Sequence, residues 1–193
     1  SKRKVWKKKL EEKFGRKERD VSESERRNQM EALEAIRNRR SIRRYLSKPI
    51  PKEVLEQIVD CGRWAPTAMN LQPWKFVVVT DESMRAKIAN ITDYGKFIAD
   101  APACIAVFCE DTKYYLEDGC AAVQNILLGA TALGVGSCWV AGDKKPYAEE
   151  VANLLSMPGK YKLIALIALG YSDQQPQGRR KSLGGMLYWE EYG

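Results

Sequence analysis

Between Arg37 and Tyr45 the chain runs RNRRSIRRY, five arginines around one serine. A guanidinium is a planar, permanently charged fork whose N–H groups match the oxygens of a phosphate, and a neighbouring hydroxyl adds a short donor. The same run also reads as a solvated helix end, where cations meet the negative pole of the helix. A second stretch, Ala65–Trp74, reads APTAMNLQPW. Pro66 and Pro73 restrict the backbone, and between them Thr67, Asn70 and Gln72 carry side chains that donate and accept hydrogen bonds. Such a set can read the edge of a heterocycle, or it can serve as a capped connection between a helix and a strand.

The chain contains no histidine, which removes Ser-His-Asp and Cys-His nucleophiles, His-ligated zinc and imidazole acid–base chemistry. Its five cysteines, Cys61, Cys104, Cys109, Cys120 and Cys138, form no CxxC pair and fall in apolar segments, where a free thiol acts as a small hydrophobe. No metal site is expected, and an odd cysteine count without a signal peptide points to a reducing, cytoplasmic location. GxGxxG and Walker A sequences are also missing, so dinucleotide-fold and NTPase readings have no support. If this chain is an enzyme, something other than imidazole does the hard step.

The elements that position these residues can be read from charge and periodicity. Of the formal charge of +7, residues 1–30 hold a net +6, which leaves a nearly neutral body. Residues 1–29 are therefore expected as a basic arm outside a single domain of residues 30–193, and the mixed run KKKLEEKFGRKERD favours a solvated arm over a nucleic-acid contact. Met30, Leu33 and Ile36 predict a first helix, and Pro51 to Trp64 a second. Strands are expected at Lys75–Thr80, Cys104–Cys109, Ser137–Ala141 and Leu163–Leu169, with helices at Met84–Ile91, Leu116–Leu133 and Tyr147–Leu155. Gly119–Gly142 contains no charge, yet Gln124, Asn125 and five glycines argue for a buried helix and strand rather than a membrane span. That helix is apolar on nearly every face, so burial against a second subunit is expected. Mixed helices and strands without strict alternation indicate an α+β fold.

Taken together and in this order, RRSIRRY, APTAMNLQPW, GVGSCWVAG and the late LGYSDQQPQGRRKSL resemble the nitroreductase family of flavin mononucleotide oxidoreductases, over roughly Met30 to Gly193. The resemblance implies a three-layer α/β/α fold with a mainly antiparallel central sheet, and an obligate homodimer with an extended C-terminal segment. It implies FMN as cofactor and NAD(P)H as donor. Hydride would pass through flavin N5 to a nitroaromatic, a quinone or a similar small acceptor in a ping-pong cycle, with no catalytic side chain. Carried over by position, the phosphate and ribityl contacts fall on Arg39, Arg40, Ser41 and Arg43. The ring is held from the partner subunit by Pro66, Thr67, Ala68, Met69, Asn70 and Gln72. Backbone from Cys138 through Trp139, Val140 and Ala141 to Gly142 passes close to the ring, and Arg179 and Arg180, with Lys181 as the adjacent alternative, reach the phosphate. The short connection Glu110–Glu117 leaves out the substrate-covering insertion of larger members, so the acceptor and the choice between NADH and NADPH stay open. The basic arm has no counterpart in the family pattern. A flavin-binding sensor or a nucleic-acid-associated protein is the alternative from another class.

Overall fold

A computed structural model describes residues 30–192, and the predicted arm lies outside them. From Glu31 onward the chain makes one compact unit. Four strands, β1 (Trp74–Val79), β2 (Ala103–Glu110), β3 (Gly136–Ala141) and β4 (Tyr161–Gly170), pair in the order β1-β2-β4-β3, every neighbour antiparallel. The helices are α1 (Ala32–Asn38), α2 (Lys52–Arg63), α3 (Glu82–Ile91), α4 (Tyr115–Ala132) and α5 (Ala148–Leu154).

The two central strands explain the layers. β2 carries no charge before its last residue, Glu110, and residues 103–109 read ACIAVFC because both faces are covered there. Ile105, Val107 and Cys109 pack with Leu55 and Ile58 of α2 and Val123 and Ile126 of α4. Cys104, Ala106 and Phe108 pack on the opposite face with Ile88 of α3 and Val151 of α5. Each fully buried Ile or Phe contributes about 1.5–3 kcal/mol of transfer free energy. The expected α+β, three-layer arrangement with a mainly antiparallel sheet is thus the observed one.

Between Val107 and Phe108 the β2–β4 register shifts by one residue, and Ile164 is the extra residue of a β-bulge. Its carbonyl accepts N–H bonds from Gly142 at 3.1 Å and Asp143 at 3.2 Å, which ends β3 and fixes where the chain leaves it. A side chain at position 142 has no room, since its Cβ would lie 2.9 Å from backbone atoms of Ile164 and Ala165.

The predicted elements are all present, with boundaries moved by one or two residues. Of the α4 residues only Glu117 and Gln124 are exposed, and α2 and the sheet pack against its buried side within the chain. Gly129 admits the close approach of α2, as a Cβ there would lie 2.7 Å from Cys61 Sγ. Exposed apolar side chains also lie outside α4: Leu33 and Ile36 of α1 are 65% and 54% exposed, and Leu183, Met186, Trp189 and Tyr192 of the C-terminal segment are exposed as well.

Candidate functional site

After α1 the chain becomes extended and lies along the free edge of β3. Ser41 forms a parallel bridge with Ser137, and Ile42 N–H donates to the Ser137 carbonyl at 2.9 Å. The C-terminal segment covers the other side. Leu46 N–H donates to Tyr171 O at 2.8 Å, the Ser172 hydroxyl to Arg44 O at 2.7 Å, and Arg43 N–H to Gln174 Oε1 at 3.2 Å. This backbone is a rung added to the sheet, not the helix end that the arginine run also allowed.

An extended backbone sends successive side chains to opposite sides. Ile42 is buried, whereas Arg39, Ser41 and Arg43 act together on Cys138. Burial pushes the Cys138 thiol up, and the Arg43 charge, a hydrogen bond with Ser41 and the Arg39 charge pull it back. Arg40 lies differently: its Nη1 donates to Arg37 O at 2.6 Å and Arg39 O at 2.9 Å, and its buried Nε has no partner. A Cβ on Gly178 would lie 3.4 Å from Arg40 Nε and 3.5 Å from Arg180 Nη1, so the C-terminal segment brings Arg180 beside Arg40. Arg179 is exposed. A cleft of about 500 Å³ lined by Arg40, Ile42, Ser137 and Gln174 opens here, and the buried Ser137 Oγ also has no partner. Among the described residues no acid pairs with Arg39, Arg40, Arg43, Arg179 or Arg180. The larger groove, about 1460 Å³, starts at Arg43 but follows α2 and the outer edge of β1 away from Ser41 and Cys138.

β3 leads from this cluster toward Gly142. By the alternation of an antiparallel ladder, Ser137, whose carbonyl faces Ile42, shares its direction with Trp139 and Ala141. The N–H groups of Trp139 and Ala141 therefore face away from β4, while Gly142 N–H is already given to Ile164. Cys138 and Val140 send their side chains to the α3/α5 side, where Val140 is buried. The Tyr147 hydroxyl donates to Ala141 O, and the Tyr115 hydroxyl to Asp143 Oδ1 at 2.9 Å, so both flanks of Gly142 are held.

The loop after α2 is the second half. Met69, Asn70 and Gln72 have φ of 53°, 54° and 50°, left-handed values that non-glycine residues adopt at about 1–2 kcal/mol each. Thr67 Oγ1 accepts Gln72 N–H at 3.2 Å, and Gln72 Nε2 donates to Asn70 Oδ1 at 3.1 Å. Ala68 N–H donates at 3.0 Å to Asp118 Oδ1, in α4. Pro66, Met69, Asn70 and Gln72 are exposed, and Thr67 and Ala68 half-buried. This loop sits at the first turns of α4, and the Ser41–Ser137 bridge just beyond its last turn. The helix has 18 residues, or about 27 Å at about 1.5 Å per residue, so one chain does not bring the amides and the arginines together.

Asp118, Gln174, Tyr115 and Tyr147 support the site without having stood out in the sequence. Only Asp118 carries a signal there, as the last charge before the uncharged stretch.

The described residues thus form a three-layer α+β domain with a cluster of cations along one sheet edge that no described acid pairs with. The family model for nitroreductases matches residues 36–93 and 94–171, and the chain belongs to the nitroreductase family, whose members are oxidoreductases. It is 35% identical over 158 residues to a Methanothermobacter thermautotrophicus protein provisionally named NADH dehydrogenase/NAD(P)H nitroreductase, covering 79% of this chain and 83% of that one. Among solved structures, a provisionally named nitroreductase from Desulfovibrio desulfuricans in complex with FMN has a TM-score of 0.75 at 33% identity, covering 84% of this chain and 98% of the other. An FMN-dependent nitroreductase from Clostridium difficile has a TM-score of 0.78 at 27% identity, with 83% and 99% covered. The family match ends before Arg179 and Arg180. No helix among the described residues is long and apolar enough to cross a membrane.

Proposed function

We propose that this protein is an FMN-dependent oxidoreductase of the cytoplasm, working as a homodimer, that transfers hydride from NAD(P)H to a nitroaromatic, a quinone or a similar small acceptor in two half-reactions. The observation that carries the reading is the set Arg39, Ser41 and Arg43 on the free edge of β3, which no acid among the described residues neutralises. FMN, when bound, supplies two-electron redox chemistry at its N5, and the chain supplies position and charge.

The residues present fit that group. Arg39, Ser41 and Arg43, joined by Arg40 and Arg180, offset the phosphate charge, and the unpartnered Arg40 Nε and Ser137 Oγ are donors awaiting an acceptor. Arg179 stands at the same end of the segment. Trp139 and Ala141 N–H groups face outward where the ring would lie, and the missing side chain at Gly142 lets backbone come close. Asn70 and Gln72, held by Thr67 in the loop that follows Pro66, donate toward the pyrimidine edge and stabilise negative charge there. The helix length between arginines and amides supports a pocket shared across the dimer. Exposed Leu33, Ile36 and Trp189 offer apolar surface for that contact.

The test is direct. Heat-released cofactor should have the mass of FMN, and the yellow protein should bleach with NADH or NADPH and regain colour with a quinone. Release of FAD, or colour that no nicotinamide bleaches, defeats the proposal.

A further inference from the structure

We propose that Asp118 is the positioning residue of the 66–72 loop, holding Asn70 and Gln72 in the conformation that reads the flavin; this rests on the flavin reading above. Asp118 is 5% exposed, and its Oδ1 accepts Ala68 N–H at 3.0 Å. Among the described residues this is the one hydrogen bond that joins residues 66–72 to the rest of the chain; the others, Asn70 N–H to Thr67 O, Leu71 N–H to Ala68 O, Gln72 N–H to Thr67 Oγ1 and Gln72 Nε2 to Asn70 O and Oδ1, stay inside the loop. A loop with three left-handed non-glycine residues relaxes unless something outside it opposes relaxation. Asp118 is well placed to oppose it, because the N-terminal turns of α4 favour its negative charge and a carboxylate makes a stronger bond to an amide than a neutral oxygen does. Its buried Oδ2 has no partner, so the carboxylate is not recruited by another group. Asp118 touches neither flavin nor substrate in this reading and acts through Ala68.

The experiment measures hydrogen exchange in the peptide covering 66–73 of flavin-free, full-length protein, and FMN dissociation constants by fluorescence. The proteins are wild type, Asp118→Ala, Asp118→Asn, Asn70→Ala and the Asp118→Ala/Asn70→Ala double variant. Asp118→Ala should exchange faster in that peptide and bind FMN at least tenfold more weakly. Asp118→Asn, which keeps an acceptor oxygen, should recover most of both. The double variant should bind no more weakly than the worse single variant, because both changes disable one device. If Asp118→Ala does not fold, Asp118→Ser, too short to reach Ala68, supplies the same readouts. Unchanged exchange, faster exchange with wild-type affinity, or single effects that multiply would each overturn the proposal. Wild-type protein that takes up no FMN would refute the flavin reading, and the proposal with it.

Discussion

Arg39 and Arg43 differ from the other cations of this surface by sharing one side of an extended rung with Ser41 and Cys138. Removing either guanidinium should cost about 1.5–3 kcal/mol of phosphate binding, or roughly ten- to over a hundredfold in FMN affinity. Arg39→Ala and Arg43→Ala are expected to show this in fluorescence titrations while circular dichroism stays native. Unchanged dissociation constants in both would return the arginines to a solvated role. The buried thiols make a second residue-scale prediction. Burial pushes Cys104 and Cys109 from 9.0 up to about 12. Below pH 9 the thiols are neutral folded or unfolded and the pH dependence is flat. Above it the unfolded chain ionises first, so stability falls as pH rises toward 12, at up to about 1.4 kcal/mol per pH unit for each thiol. Urea midpoints measured from pH 8 to 11 should fall less steeply in Cys104→Ala than in wild type.

At the scale of elements, α2 and α4 approach through Gly129 and Cys61. Gly129→Val overfills that contact and should lower stability by about 1–3 kcal/mol, read as a lower urea midpoint, with added loss of flavin because the loop leaves α2 directly. A midpoint equal to wild type would mean that the helices are free to move apart. Elements are also where the sequence is most legible. β2 and β4 are apolar runs bounded by turn residues, and α2 repeats Val54, Leu55, Ile58 and Val59 at the helical period, so their existence follows from pattern alone. The conformation of the loop does not, since Met69 and Gln72 adopt left-handed values that their residue types do not announce. The division of Arg40 from Arg39 and Arg43 is equally hidden. It depends on Ser41 pairing with a strand nearly a hundred residues away in the chain, while the local run is also compatible with a helix end. For α4 the apolar composition correctly indicates burial, but pattern cannot tell a helix covered by its own chain from one covered by a second subunit.

For the whole molecule, the shared pocket has a mixing test. An Arg39→Ala chain combined with an Asn70→Ala chain gives heterodimers with one intact and one doubly damaged site if the loop serves the partner's pocket. FMN binding should then recover toward half of wild type. If each chain builds its own pocket, mixing only averages the two defective parents. The exposed apolar residues of α1 and the C-terminal segment should become protected from hydrogen exchange in the same assembly.

The Ser41–Ser137 bridge and the bond from Arg43 to Gln174 tie together three stretches that leave the ribosome far apart in time. Loop closure over such separations comes late, after the local helices and the β1–β2 pair have formed. The rung that carries Arg39, Ser41 and Arg43 therefore has no wall to lie against until β3 is synthesised, and no cover until residue 174 has emerged. A nascent chain arrested short of that point should retain no FMN, so on this reading cofactor retention begins only once residue 174 has emerged.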